Sequence, residues 1–260
     1  MHPKISIITV CFNAKDCIEE TILSVINQSY PNIEYIIIDG GSNDGTIDII
    51  NKYNTKITYW ISERDKGIYD AMNKGIDKAT GEWINFMNAG DCFHSNLTLE
   101  SFIPSIHKDT DIAYGDTLIM LSAGNILEKP LPLELITKRM VFGHQATLIK
   151  TNLHKKYKFD TSYKSSGDYN FFYQAYKNHC KLSYIPITVA NYEGENGISI
   201  KNILAAKKEN GRIQGKSNNL GWKIKYFIIC CNYKIRQQLK KILPQKLIIY
   251  IKKKKLKNNE

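Results

Sequence analysis

The chain has 260 residues, 43% of them hydrophobic and 23% charged, a balance that excludes wholesale disorder and allows one large domain with a sizeable core. Its net charge of +11 is confined to one end: residues 1–221 carry 24 basic and 24 acidic side chains, and residues 222–260 carry 12 basic ones against Glu260 alone. No uncharged apolar run reaches the 18 residues of a membrane-spanning helix, and the short apolar stretch in MHPKISIITV does not suit a secretory signal.

The first 90 residues alternate. ISIITVCF (5–12) is a near-continuous apolar run, as befits a strand covered on both faces. DCIEETILSVINQ (16–28) has helical apolar spacing with early acids. Strands follow at 34–39, 56–61 and 82–87, with helices at 45–54 and 67–80 between them. Strand–helix alternation with short connections predicts an α/β fold built on a parallel, doubly wound sheet. Beyond residue 92 the rhythm loosens. A helix is expected over 97–108, divided at Pro104, with strands at 111–120 and 144–150, a helix at 166–179, an extended segment at 181–192 and a surface helix at 202–216. The six cysteines form no CxxC pair and no metal spacing, which suits reduced, buried thiols in a cytoplasmic protein.

In open parallel α/β sheets ligands bind outside the carboxyl ends of the strands. Those ends here are Phe12-Asn13, DGGSNDGT (39–46), SERDKG (62–67) and NAGD (88–91), each with acidic or amide side chains. No G-x-G-x-x-G follows the first strand and no P-loop occurs anywhere, so the usual dinucleotide and NTPase fingerprints are absent. The edge instead collects the carboxylates Asp39, Asp44, Asp65 and Asp91. Carboxylates reach a diphosphate only through a cation, so the expected ligand is a nucleotide diphosphate held through Mg²⁺ or Mn²⁺.

Four stretches, SIITVCFNA, SVINQSYPNIEYIIIDGGSNDGT, ISERDKGIYDAMNKGIDKATGEWINFMNAGD and SSGDYNFFYQA, together resemble the family 2 glycosyltransferases of GT-A fold, above all bacterial O-antigen and capsule enzymes. The likeness covers about residues 4–200. It implies a Rossmann-like, mostly parallel sheet and an inverting transfer of a sugar from a nucleotide diphosphate to a hydroxyl. The resemblance places Thr9, Phe12, Asn13, Asp39, Ser42, Asp44, Asp65, Tyr69, Asn73, Lys74 and Asn88 around the nucleotide-sugar, with Asp39 accepting a uracil N–H and so pointing to a UDP-sugar. NAGD stands where the family carries its D-x-D-type motif: Asn88 replaces the first Asp, and Asp91 remains as the implied metal ligand. A Gly–Asp turn would account for the same residues without function. Asp168 aligns with the family's base, and a carboxylate in reach of an acceptor hydroxyl is competent for that role; equally, an acid in a first helical turn favours the dipole. The resemblance makes Asp116, His144 and Gln145 candidates for the acceptor side, with an extra metal ligand in FGHQATLIK as the other family-like role; a satisfied structural histidine and a strand-ending Asp116 account for the same residues without function.

The expected organisation is a catalytic domain over 1–221, nucleotide-binding to residue 92 and acceptor-binding beyond it, followed by a basic amphipathic helical tail over 222–260. Residues 222–257 interleave aromatic and aliphatic side chains with Lys and Arg, a pattern suited to an anionic membrane surface. No nucleic-acid recognition fold accompanies the lysine run. Membrane attachment agrees with the resemblance, which implies a sugar on an undecaprenyl-diphosphate carrier as acceptor at the cytoplasmic face. Two alternatives remain. A sugar nucleotidyltransferase would want a Gly-rich, basic loop after the first strand, where CFNAKD offers no Gly. A catalytically inactive nucleotide-sugar-binding protein is favoured only by the thinned NAGD.

Overall fold

The computed structural model describes residues 2–194 and 202–242. The first half follows the expected alternation: β1 (Ile5–Cys11), α1 (Ile18–Ile26), β2 (Ile33–Asp39), α2 (Thr46–Lys52), β3 (Tyr59–Ser62), α3 (Ile68–Lys78) and β4 (Trp83–Phe86). The second half adds β5 (Cys92–Phe93), α4 (Thr98–Phe102), β6 (Ile112–Met120), β7 (Ile126–Glu128), β8 (Thr147–Lys150), α5 (Thr151–Lys156), α6 (Gly167–Lys177), β9 (Leu182–Glu193), α7 (Ile203–Ile213) and α8 (Leu220–Ile242).

The strands form one nine-stranded sheet in the order β3-β2-β1-β4-β8-β6-β9-β5, with β7 paired to β6. β1 pairs in parallel with β2 and β4, β2 with β3, and β6 with β9. β8 is the departure from a purely parallel sheet: it lies antiparallel between β4 and β6, so both of those run the same way. β5 and β7 are also antiparallel to their partners.

The period-two alternation of β1 shows why its sequence is apolar almost throughout. Ile5 and Ile7 join one core layer with Ile22 of α1 and Ile37 of β2. Ile8 and Val10 join the opposite layer with Ile36, Ile38, Met72 and Ile76. A strand buried on both faces has no position left for alternation.

Pro104 divides the expected 97–108 helix as anticipated, leaving α4 and a 3₁₀ turn at Ile103–Ser105. The segment 144–150 is not a strand throughout: His144–Ala146 forms a 3₁₀ turn and extended pairing begins at Thr147. In the tail, Trp222 and Tyr226 stack at 5.3 Å between centroids, and the Tyr226 hydroxyl donates to the Leu204 carbonyl, so α8 lies on α7. Leu220, Ile224, Phe227, Ile228 and Ile235 of α8 remain exposed. No helix among the described residues is long and apolar enough to cross a membrane. Pro244 and the lysine run 252–255 lie outside the described residues.

Candidate active site

The carboxyl ends of β1, β2 and β3 converge on Gly40. A Cβ there would lie 2.5 Å from Asp65 Oδ2 and 3.4 Å from Phe12 Cβ, so a larger residue would displace the Asp65 carboxylate from where the three segments meet. Asp39 ends β2 without any exposed surface. Its carboxylate accepts from the N–H groups of Gly41 (3.1 Å) and Ser42 (2.8 Å) and from the hydroxyls of Ser42 (2.5 Å) and Ser62 (2.6 Å). Burial opposes its charge, but these hydrogen bonds outweigh burial and hold the carboxyl below its ordinary range. Asp39 therefore shapes the 40–44 loop, and a uracil N–H at this carboxylate would compete with those donors.

The loop presents a second tier of residues. Ser42 Oγ accepts the Asn13 N–H at 2.7 Å, and Asn13, held at φ 48°, accepts the Asn43 N–H through its side chain. Phe12 stands 63% exposed at the sheet edge, free to stack on a planar ring. Asp65 is half-buried and accepts the Gly67 N–H at 2.8 Å, which leaves its second oxygen against Gly40.

Several residues expected to touch the nucleotide have other partners. Thr9 is fully buried, donates to the Met87 carbonyl at 2.7 Å and pairs with the Tyr35 hydroxyl; it ties β1 to the end of β4 and is not a base contact. Asn73 clamps the backbone of Phe159 through both its amide atoms, each at 2.9 Å, so it braces the wall instead of lining the ribose. Asp44 caps the start of α2 through Thr46 and accepts the Lys15 N–H. Lys74 is paired with Glu63 at 2.8 Å and donates to the Arg64 carbonyl, pinning the 63–65 loop. Gln145 is buried, and its backbone carbonyl accepts from the Asn85 side chain, which ties the 144–146 turn to β4. Asp116 is buried as well and accepts the hydroxyl of the exposed Tyr184 at 2.8 Å.

NAGD is indeed a turn. The Asp91 N–H donates to the Asn88 carbonyl, with Gly90 at φ 100° in the position where a side chain would be strained. Thr21 of α1 staples it, accepting the Gly90 N–H and donating to the Asp91 carbonyl. Asp91 is 6% exposed; burial, which a hydrogen bond from the Glu193 backbone only partly offsets, pushes its carboxyl up to about 8, and the Glu193 charge adds to the rise. A carboxyl so short of compensating charge suits a cation. No group of three His, Cys, Asp or Glu side chains converges among the described residues. Asp91 would be the one carboxylate of this turn to hold a Mg²⁺-type ion, which would supply positive charge there.

The strongest convergence is around Asp168, in the first turn of α6. The Tyr69 hydroxyl of α3 donates to its Oδ1 at 2.9 Å, and His144 Nδ1 lies 3.5 Å from its Oδ2. His144 Nε2 in turn lies 3.1 Å from the Asn88 side-chain nitrogen. Four residues from four separate segments thus form one chain from the NAGD turn to the start of α6. Burial pushes the His144 ring towards neutrality although the Asp168 charge opposes this. Burial and the same charge push the Tyr69 phenol well up, so it remains a donor.

Sequence reasoning missed what holds Asp168 in place. Glu209 of α7 accepts the N–H groups of Lys164, Ser165 and Ser166 at 2.8, 3.0 and 2.9 Å, capping the start of α6 with a carboxylate. Arg212 stacks on Tyr163 at 4.1 Å and donates to Ser162, and Gln214 donates to the Lys138 carbonyl. The helix expected merely at the surface is therefore the brace of the segment that carries Asp168. The 960 Å³ cavity lined by Tyr30, Glu82, Trp83 and His107 lies at the opposite, amino ends of β1 and β4, away from this constellation.

Comparison with known proteins gives the family and the fold. The model of the family described as Glycosyl transferase family 2 matches residues 6–165. A PGL/p-HBAD biosynthesis glycosyltransferase of Mycobacterium tuberculosis is 29% identical over 204 residues, covering 76% of this chain and 79% of the relative. A putative teichuronic acid biosynthesis glycosyltransferase, TuaG of Bacillus subtilis, is 39% identical over 130 residues, covering 49% and 52%. Among solved structures, S. aureus TarS 1–349 in complex with UDP-GlcNAc superposes with a TM-score of 0.65 at 20% identity, over 81% of this chain and 66% of that one. The mannosyltransferase PcManGT of Pyrobaculum calidifontis, in complex with GDP-Man and Mn²⁺, gives a TM-score of 0.64 at 15% identity, over 80% and 62%. The chain thus spans about two thirds of these solved chains, and shares with them the GT-A fold. With more than half its length matched by the family model and with relatives of that activity, the chain belongs to glycosyltransferase family 2.

Proposed function

We propose that the protein is an inverting transferase that moves a hexose, glucose or galactose, from a UDP-sugar to a hydroxyl of a lipid-diphosphate-linked sugar, forming a β-linkage in surface polysaccharide synthesis. The observation that carries the reading is Asp168, an edge carboxylate whose Oδ1 accepts the Tyr69 hydroxyl and whose Oδ2 lies 3.5 Å from His144 Nδ1, on the same sheet edge as the buried Asp91. Support for UDP comes from the TarS complex with UDP-GlcNAc, and the likeness to PcManGT with GDP-Man makes GDP the rival base.

In this reading Phe12, Asn13 and Ser42 with the 40–44 loop hold the base, Asp65 and Asn88 hold ribose and phosphate, and residues beyond 92 shape the acceptor pocket. Asp168 takes the proton from the acceptor hydroxyl as that oxygen attacks the anomeric carbon from the face opposite the leaving diphosphate. Tyr69 and His144 keep the carboxylate aimed during the attack. A Mn²⁺ or Mg²⁺ bound at Asp91 supplies positive charge for the departing diphosphate.

Calorimetric titration tests the donor class. UDP is expected to bind more tightly with Mn²⁺ than without, GDP weakly in both, and Asp91→Ala to lose the metal-dependent part. UDP binding indifferent to Mn²⁺ would remove Asp91 from the metal site, and failure of both nucleotides to bind would overturn the donor assignment.

The tail supplies the place of action. The exposed Leu220, Ile224, Phe227, Ile228 and Ile235 recur at helical spacing along one face of α8, and the helix also carries Lys223, Lys225 and Lys234. An apolar face beside basic charge matches an anionic membrane surface, where an undecaprenyl-diphosphate-linked acceptor would reside. The intact chain is expected to co-sediment with phosphatidylglycerol vesicles in low salt. The double change Phe227→Asp and Ile228→Asp should abolish most of that binding; equal binding by both proteins would refute tail docking.

A further inference from the structure

Position 88 departs from the family's D-x-D-type pattern, and the structure puts that departure in contact with the histidine beside Asp168. The Asn88 side-chain nitrogen can only donate, so His144 Nε2, 3.1 Å away, must accept. A neutral imidazole then carries its one proton on Nδ1, the atom that faces the Asp168 carboxylate at 3.5 Å. The opposite amide orientation would place Oδ1 against Nε2 and require a proton there. Nδ1 would then face the carboxylate with a lone pair unless the ring were fully protonated.

We propose that Asn88 acts as a tautomer lock: it holds His144 neutral with its proton on Nδ1, so that Asp168 is oriented by two neutral donors, His144 and Tyr69, and keeps its strength as a base. His144 is then a positioning residue, and Asn88 positions His144. An aspartate at 88 would have the reverse effect. It would draw a second proton onto Nε2, turn His144 into an imidazolium sandwiched between two carboxylates, and weaken Asp168 as a proton acceptor.

The surroundings favour the neutral ring. Burial lowers its proton affinity, and Asp168 on α6 is the charged group that opposes this. Asp116 on β6 and Glu193 on β9, acids of the other strands packed against the 144–146 turn, act on Tyr184 and Asp91. Asn88 faces the ring from the end of β4 and carries no charge.

This inference rests on Asp168 being the base, but its first test needs no turnover. Long-range ¹H–¹⁵N spectra of the full chain labelled at its six histidines report the protonation of each ring nitrogen, and His144→Gln identifies the His144 signals by their loss. Between pH 6 and 8 the wild type is expected to show His144 protonated at Nδ1 alone, and Asn88→Asp to show it protonated at both nitrogens. A wild-type Nε2–H tautomer, or an Asn88→Asp ring that stays neutral, overturns the lock. Should the spectra agree, the acid limb of the pH–rate profile for UDP release is expected to move to lower pH in Asn88→Asp. Turnover at pH 7 should fall roughly tenfold or more, within the range of a weakened general base, with less change in KM for the donor. An unmoved profile beside a charged His144 would show that the lock does not serve Asp168 as base, without touching the family assignment.

Discussion

Asp168→Asn is expected to reduce transfer by roughly 10²–10⁴-fold, the usual contribution of a positioned general base, while UDP binding changes by less than about twofold. The substitution is close to isosteric. Its amide oxygen can still accept the Tyr69 hydroxyl, which now lies 2.9 Å from Oδ1, and the Glu209 cap three residues upstream is untouched. The fold should therefore survive with its melting temperature almost unchanged, and any loss of rate belongs to the chemistry. The measurement is UDP release from UDP-sugars screened against lipid-diphosphate-linked sugars, with calorimetric UDP binding run on the same protein. Near-normal turnover would remove Asp168 from the role of base. Loss of UDP binding in parallel would instead place it at the donor.

The first half of the chain was legible because its signals are local. β1, β2 and β4 read as largely apolar runs since both faces of a central strand are covered, and α1 and α3 read from 3.6-residue spacing. The second half was not, because its elements are short or decided by distant partners. β7 is three exposed residues and β5 is two, while α5 has too few turns to show a stripe. Nothing in TLIK tells that β8 inserts antiparallel between β4 and β6; that is fixed by long-range pairing.

The same distinction divides the site. Tyr69, Asn88, His144 and Asp168 were each legible singly, but the chain they form needs the 3₁₀ turn at 144–146, which reads in sequence as part of a strand. Thr9 misled because a hydroxyl in a doubly covered strand looks like an edge residue until its buried partners Met87 and Tyr35 are known. Glu209 carried no signal at all: it lies in a mostly polar helix, and its role depends on three N–H groups distant in sequence.

Acid is expected to destabilise the protein through His154, a residue outside the active site. Its ring is completely buried in α5 among Phe86, Phe159 and Phe171, stacked on Phe171 at 4.3 Å, and neither ring nitrogen has a hydrogen-bond partner. Burial alone depresses its affinity for a proton, from the ordinary 6.5 to about 3. The unfolded chain binds that proton below pH 6.5 and the folded one does not until about pH 3. Stability is therefore lost as pH falls below 6.5, at about 1.4 kcal/mol per pH unit. Fully developed, the loss is on the order of 5 kcal/mol, comparable with the whole stability of many domains.

Total stability will not display this cleanly, because Asp91 works in the opposite sense. Its folded affinity for a proton is raised, so its contribution grows as pH falls towards the ordinary carboxylate value. The difference between wild type and His154→Leu cancels Asp91 and isolates the buried ring. Urea unfolding at pH 7.5, 6.5 and 5.0 is expected to show that difference shifting by about 2 kcal/mol in favour of the leucine variant between the last two values. Leucine has nearly the volume of the imidazole and buries no polar atom, so it should also match or exceed wild type at pH 7.5, where two unpartnered ring nitrogens cost about 1–3 kcal/mol each. A stability difference that does not change with pH would mean that the ring finds a proton partner on folding, and that the aromatic box around it opens to water.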